Sequence, residues 1–375
     1  MNVLFVNMSV DPVLGGGTVE RTHQLLKEFR KLPNTSAKVL STTAGLIEYS
    51  NFDEAEYILL PCLNERWYLP APYFRMVYQS IKWSDVIIMI GHWTLINAMV
   101  YFTNILVKRP YLFCPAGALN IFGRSVFFKR CYNFIVGTSI LKQASRLIAI
   151  PNDEQEYFCD LGIHKNRTVC IPNGIDSSDF QSSDAKNFRL RHRLGDAPFL
   201  IFMGRLNEIK GPDILLKAFG NIAHNFATWH LVMAGPDGGM ESYLRDEILK
   251  YNLSDRVHLI GFVSGKEKSD AYHAADLLVV PSRLEAMSIV ALEAGSCGTP
   301  VLMSDTCGFS EMVDAEAAVE VPANVSELEY ALIHLMSNPK LLQEMGSNAK
   351  YFINKYYTWE ISAKRHRMLC DEVCH

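Results

Sequence analysis

The stretch Ala275–Leu302, ADLLVVPSRLEAMSIVALEAGSCGTPVL, decides the fold. LLVVPS reads as a strand, Ser288 to Gly295 has helical composition, and PVL opens another strand. Strand, helix and strand in so short a stretch make a βαβ unit, and the strands scarcely alternate, so helices must cover both sheet faces. Two acids, Glu285 and Glu293, bracket the apolar run. Core packing does not ask for them.

Working outward, the same alternation runs along the whole chain. NVLFVNM, AKVLSTT, DVIIMIG, RPYLFCP, SRLIAIP and RTVCIPNGID read as strands of a first half. A polar linker with a short helix follows, and the pattern restarts with FLIFMGRL, WHLVMAG, VHLIGFV, LLVVPS, PVLMSD and AAVEVP. The expected fold is therefore α/β, with two doubly wound parallel sheets. Domains are expected at 1–180 and 181–358, with a last helical pattern at 359–375 that has no strand to cross to.

The totals agree. With 375 residues, 49% hydrophobic, 20% charged and a net charge of -4, the composition is that of two soluble domains and not of a general nucleic-acid binder. Nine scattered cysteines without a CxxC pair suit a reducing compartment, so a cytoplasmic location is expected. The tail CDEVCH lacks a second ligand cluster and is not read as a metal site. The start MNVLFVNMSV has no basic segment and reads as a strand, not a signal peptide. WTLINAMVYFTNILV falls short of the roughly 20 residues a spanning helix needs.

In open α/β sheets ligands sit beyond the carboxyl ends of the strands, so two sheets predict a site in the cleft between them. GRLNEIKG follows the strand FLIFM and offers Arg205 and Lys210, two cations suited to a diphosphate. Gly15, Gly16 and Gly17 are expected in a turn between the first strand and its helix, where backbone amides approach phosphate or sugar oxygens. The run does not fit G-x-G-x-x-G, which argues against a dinucleotide dehydrogenase. If the second-half helix starts near Met287 or Ser288, Glu285 lies in the loop and Glu293 inside the helix. On one continuous helix the two acids would stand about 80° apart and about 12 Å apart along the axis, so the loop is needed for both to grip one elongated ligand. Amides of Met287, Ser288 and Ile289 then face its phosphates, and Glu293 accepts from a ribose diol.

Together GRLNEIKGPDILLKAF, LVMAGPDG, VHLIGFVS, AADLLVVPSRLEAMSIVALEAGSCGTPVL and CIPNGID resemble the retaining nucleotide-sugar glycosyltransferases of family four, also called glycosyl transferases group 1, with the GT-B fold. The likeness covers nearly the whole chain and is densest from Cys170 to Val313. It implies that Arg205 and Lys210 bind the donor diphosphate, that Glu285 contacts the transferred sugar and that Glu293 holds the ribose. It further implies that Gly16 and Gly17 approach the phosphates, that backbone at Val263 and Ser264 holds the base, and that the last helix packs back on the first domain. No D-x-D triplet occurs, so no metal is expected, and no cofactor beyond the nucleotide-diphosphate sugar donor. Relatives often carry a histidine where Ala116 stands in CPAGAL, and histidines in a DVVHAH strand where this chain has DVIIMIGHW. His92, Ala116 and Gly117 are thus the acceptor-side candidates, with His92 equally readable as a packed strand-end side chain.

The implied activity is transfer of a hexosyl unit to a saccharide acceptor, lipid-linked, in O-antigen- or capsule-like surface polysaccharide biosynthesis. From Ala71 to Ile150 the only acid is Asp85, against nine Lys or Arg residues. NIFGRSVFFKRCYNFIVG mixes Arg124, Lys129 and Arg130 with Phe122, Phe127, Phe128, Tyr132 and Phe134. The segment 122–137 is read either as a contact with an anionic membrane at the inner face of the plasma membrane or as a buried aromatic helix. Competing functions are a non-hydrolysing sugar-nucleotide epimerase and a non-catalytic nucleotide-sugar-binding GT-B protein.

Overall fold

The computed structural model describes residues 1–46, 53, 55–119, 125–150, 154–181 and 183–374. The chain forms two compact units. The first comprises Met1–Gly174 with Trp359–His375, and the second Ile175–Thr358. The division thus falls at Gly174 and Ile175, ahead of the residue 180 read from the sequence.

In the first unit the strands are β1 (Asn2–Val6), β2 (Ser36–Thr42), β3 (Tyr57–Leu60), β4 (Cys62–Asn64), β5 (Leu69–Pro70), β6 (Val86–Ile90), β7 (Tyr111–Cys114), β8 (Arg146–Ala149) and β9 (Thr168–Cys170). Seven of them form one parallel sheet in the order β3-β2-β1-β6-β7-β8-β9, and β4 and β5 pair as a small hairpin. Leu4, Val6, Ile87, Met89, Phe113 and Leu147 lie in its core, at most 1% exposed. Helix Trp359–Cys374 is joined to the first helix through Arg21, a fully buried side chain. The Arg21 guanidinium donates to Asn173 Oδ1 at 2.7 Å and to the Ile171 carbonyl at 2.9 Å, and meets His366 Nε2 at 3.3 Å.

In the second unit β10 (Phe199–Met203), β11 (His230–Ala234), β12 (Val257–Gly261), β13 (Leu277–Val280), β14 (Val301–Ser304) and β15 (Ala318–Val321) form a six-stranded sheet in the order β12-β11-β10-β13-β14-β15. Every described pairing in it is parallel. This is the doubly wound order, and the strand sequence reverses between β10 and β13. Helix Pro212–Ile222 returns the chain from β10 and buries Leu215, Leu216 and Phe219 completely. Each such side chain contributes about 1.5–3 kcal/mol of burial.

Two expectations about local structure are corrected. The glycines after β1 are not a free turn, because the first helix, Pro12–Phe29, already begins ahead of them. Asp11 caps it by accepting from Leu14 N at 2.7 Å, and proline occupies its first turn, both strong start signals. Gly16, at φ 51° and ψ -135°, then breaks the helix from within. The aromatic segment is not a buried helix either. Within helix Val126–Tyr132 and the π-helical turn Asn133–Gly137, Phe127, Phe128, Phe134 and Ile135 are 72, 58, 91 and 67% exposed. Phe122 and Arg124 lie outside the described residues.

Candidate active site in the second unit

In doubly wound sheets ligands bind where the strand order reverses, and the loops leaving the carboxyl ends of β10 and β13 carry the candidate residues. After β10 the chain runs through Gly204 and Arg205 into a single 3₁₀ turn, Glu208–Lys210, capped by Asn207 Oδ1, which accepts from Lys210 N at 3.0 Å. Gly211 follows in the left-handed region, φ 67°, and a Cβ there would stand 2.1 Å from the Pro281 carbonyl oxygen. Only glycine lets the two loops approach this closely.

After β13 the loop carries Glu285 four residues ahead of helix Ile289–Cys297. Ser288 is the N-cap, accepting from Ala291 N, and Gly298 closes the helix in the left-handed conformation. The Lys210 ammonium donates to Glu285 Oε1 at 2.7 Å, and Ser282 Oγ donates to Glu285 Oε2 at 3.0 Å. The Glu285 amide donates to the Thr306 carbonyl at 3.1 Å. The carboxylate is thus held at both oxygens and at its backbone.

Glu293 is held as firmly, by residues that the sequence alone did not single out. Helix Gly265–Ala274 sends Lys268 Nζ to its Oε1 at 2.6 Å and Tyr272 Oη to its Oε2 at 2.7 Å. Their spacing of four residues puts both on one helix face, a signal visible in the sequence but without a partner to point at. Burial, followed by the Glu293 charge and hydrogen bond, pushes the Tyr272 hydroxyl well above its ordinary pKa, so it stays a donor. Val263 is buried, and Ser264 is the exposed first cap of that same helix.

Arg205 is exposed beside Gly238, and no described hydrogen bond or ion pair engages its guanidinium. Lys210 and Glu285 thus meet across the loops after β10 and β13, with Arg205 on the first loop and Glu293 in the helix after the second. Met287 and Ser288 are buried and Ile289 half-buried at that helix start.

The remaining candidates belong to the first unit. A Cβ on Gly16 would meet nothing within 4 Å, and Gly16 and Gly17 are both exposed. His92 follows β6 and is 5% exposed, its Nε2 2.8 Å from Asn133 Oδ1 and its ring against Trp93, Phe113 and Tyr132. Burial lowers its pKa to about 4, so the ring is neutral at physiological pH. Ala116 and Gly117 follow β7 with φ of 58° and 77°. The Gly117 amide donates to the buried Glu154 at 2.7 Å. Among the described residues no group of three His, Cys, Asp or Glu side chains is placed to hold a metal ion.

Residues 184–352 match the family described as glycosyl transferases group 1. An uncharacterized glycosyltransferase of Methanocaldococcus jannaschii is 30% identical over 232 residues, 59% of this chain and 58% of that protein. A D-inositol 3-phosphate glycosyltransferase of Kineococcus radiotolerans is 32% identical over 187 residues, 46% of this chain and 42% of that protein. The chain thus spans about half the length of the curated relatives it matches. Among solved structures, Anabaena HepE in complex with UDP superposes with a TM-score of 0.81 at 19% identity, over 99% of this chain and all of that one. At that identity the likeness speaks for the fold alone. Through residues 184–352 this chain matches the glycosyl transferases group 1, and its two Rossmann-like parallel sheets form an α/β GT-B fold.

Proposed function

We propose that this chain is a retaining, metal-independent hexosyltransferase that takes its sugar from a nucleoside-diphosphate donor. The observation that carries the reading is the Lys210–Glu285 contact of 2.7 Å at the β10/β13 reversal, beside the unengaged guanidinium of Arg205. A departing nucleoside diphosphate gathers negative charge. Arg205, Lys210 and the amides at the start of helix Ile289–Cys297 offer fixed positive charge to it, the kind of term that usually contributes most to such catalysis. Glu285, pinned through Ser282 and Lys210, faces the transferred sugar as an orienting and charge-stabilising group. Glu293, held by Lys268 and Tyr272, keeps oxygen lone pairs for the ribose hydroxyls. Backbone at Val263 and Ser264 receives the base.

The acceptor is a saccharide, lipid-linked and destined for a surface polysaccharide. The exposed Phe127, Phe128, Phe134 and Ile135 beside Lys129 and Arg130 support this reading, because they suit an anionic bilayer surface. Among the described residues no helix is long and apolar enough to cross a membrane. The loops with His92, Ala116 and Gly117 are assigned to the acceptor because they leave the carboxyl ends of the neighbouring parallel strands β6 and β7.

A thermal-shift screen of UDP-, GDP- and ADP-sugars tests the donor assignment. A true donor at 100 times its dissociation constant stabilises by about 2.7 kcal/mol. Absence of stabilisation by any of them overturns the reading. Binding without transfer or donor hydrolysis reduces the protein to a nucleotide-sugar binder.

A further inference from the structure

The geometry points to Arg283 and Asp213 as a positioning pair that sets Lys210 against Glu285, a role that rests on the donor reading above. The two loops that present Lys210 and Glu285 have little regular structure of their own. Glu208–Lys210 is one 3₁₀ turn, a form with poor hydrogen-bond geometry, and Ser282–Met287 precedes its helix as irregular chain. Ser282 Oγ holds one Glu285 oxygen from within its own loop and Asn207 holds the Lys210 backbone, but neither contact sets one loop against the other.

Arg283 ties them together at four points. Its amide donates to the Ile209 carbonyl at 2.7 Å, and its Nη1 donates to the Glu208 carbonyl at 2.5 Å. Nη1 also donates to Asp213 Oδ1 at 2.9 Å and Nη2 to Asp213 Oδ2 at 2.6 Å, a bidentate pair. Asp213 lies in the first turn of helix Pro212–Ile222, where the helix dipole favours a carboxylate. The glycine-only approach of Gly211 to Pro281 is a further tie between the same loops. The guanidinium is committed to this clasp, so Arg283 acts through Lys210 and Glu285 and not on the donor.

The test compares full-length wild type with Arg283→Met, Arg283→Lys, Asp213→Asn and the double variant Arg283→Met/Asp213→Asn. Affinity for UDP, GDP and ADP is measured by calorimetry. Release of each nucleotide from its glucose conjugate gives kcat and KM, and melting curves report folding. The expected result is a fall in kcat of about tenfold or more in Arg283→Met, with nucleotide Kd and donor KM held within about threefold. Asp213→Asn follows the same pattern, the double variant is no worse than Arg283→Met, and Arg283→Lys recovers part of the rate. If Arg283→Met does not melt cooperatively, Arg283→Lys and Asp213→Asn decide by the same criteria.

Unchanged kcat overturns the proposal. Nucleotide affinity lost in parallel with kcat also overturns it, because it marks a direct donor contact, and so do strictly additive losses. A wild type that neither binds nor releases any of the three nucleotides sinks the donor reading and this role with it, a result distinct from an active wild type with an indifferent Arg283→Met.

Discussion

Lys210 and Glu285 are bound to each other, so on the proposed reading a diphosphate shares or takes over the ammonium. Replacing Lys210 by alanine removes the cation and strands a carboxylate that is only 12% exposed. Both Lys210→Ala and Glu285→Ala should lower turnover by about 10² or more while the fold persists. Steady-state kinetics with circular dichroism on the purified variants checks this, and full turnover in either removes the mechanism. Glu293→Ala should act on affinity, weakening donor binding about tenfold with a smaller effect on kcat, as titration calorimetry would register. Gly211→Ala meets both a left-handed backbone and the Pro281 carbonyl, so it should lower the melting temperature and the rate together. At this scale Arg205, Lys210, Glu285 and Glu293 were all legible as candidates, because two cations after a strand and two acids around a helix start are local patterns. Arg283, Asp213, Lys268 and Tyr272 were not. Their partners stand 70, 25 and 21 residues away, and side chains on separate elements announce no pairing in one sequence.

The helix Ile289–Cys297 matters for where it begins. Ser288 caps it, so the amides proposed to meet the diphosphate depend on one hydroxyl. Ser288→Ala should cost about 1 kcal/mol of stability, measured by chemical denaturation, and an unchanged midpoint would show the cap to be idle. Helical composition placed the start of this helix near Met287 or Ser288, one or two residues ahead of Ile289, without singling out Ser288 as its cap. The first helix was misread for an instructive reason. Three consecutive glycines argue for a turn, but the Asp11 cap and Pro12 start the helix earlier, and the glycines are spent on a break at Gly16 within it. Strand β3 and the β4–β5 hairpin also escaped notice, since each is a run of only two to four residues with no turn signal strong enough to frame it.

Across the whole molecule, the alternation of strands and helices made two parallel sheets legible, while the order of the strands, and hence the reversal that gathers the site, is a tertiary fact. The first unit also carries a pH dependence. His366 Nε2 faces an Arg21 donor and Nδ1 lies 2.7 Å from the Ser362 carbonyl, so the ring must be neutral with its proton on Nδ1. Burial, reinforced by the Arg21 charge, lowers its pKa to about 3. The unfolded chain takes up this proton near pH 6.5 and the folded chain does not, so stability is complete above pH 6.5 and falls toward pH 3 by up to about 1.4 kcal/mol per pH unit. His92, lowered to about 4, adds the same sign, whereas the buried Glu154, raised by desolvation, opposes it. Comparing wild type with His366→Gln isolates the histidine: the variant should lose less stability between pH 6.5 and 4, and parallel curves would contradict the assignment. The exposed Phe127–Ile135 surface should sediment with anionic vesicles at low salt and release at high salt, and indifference to vesicles would remove the membrane role. The most direct test of the central claim is a crystal structure of the full chain with the nucleoside diphosphate that stabilises it most. Diphosphate oxygens within about 2.7–3.2 Å of Lys210 Nζ and the Arg205 guanidinium, at the β10/β13 reversal, are the predicted result. A nucleotide bound away from both side chains would contradict it.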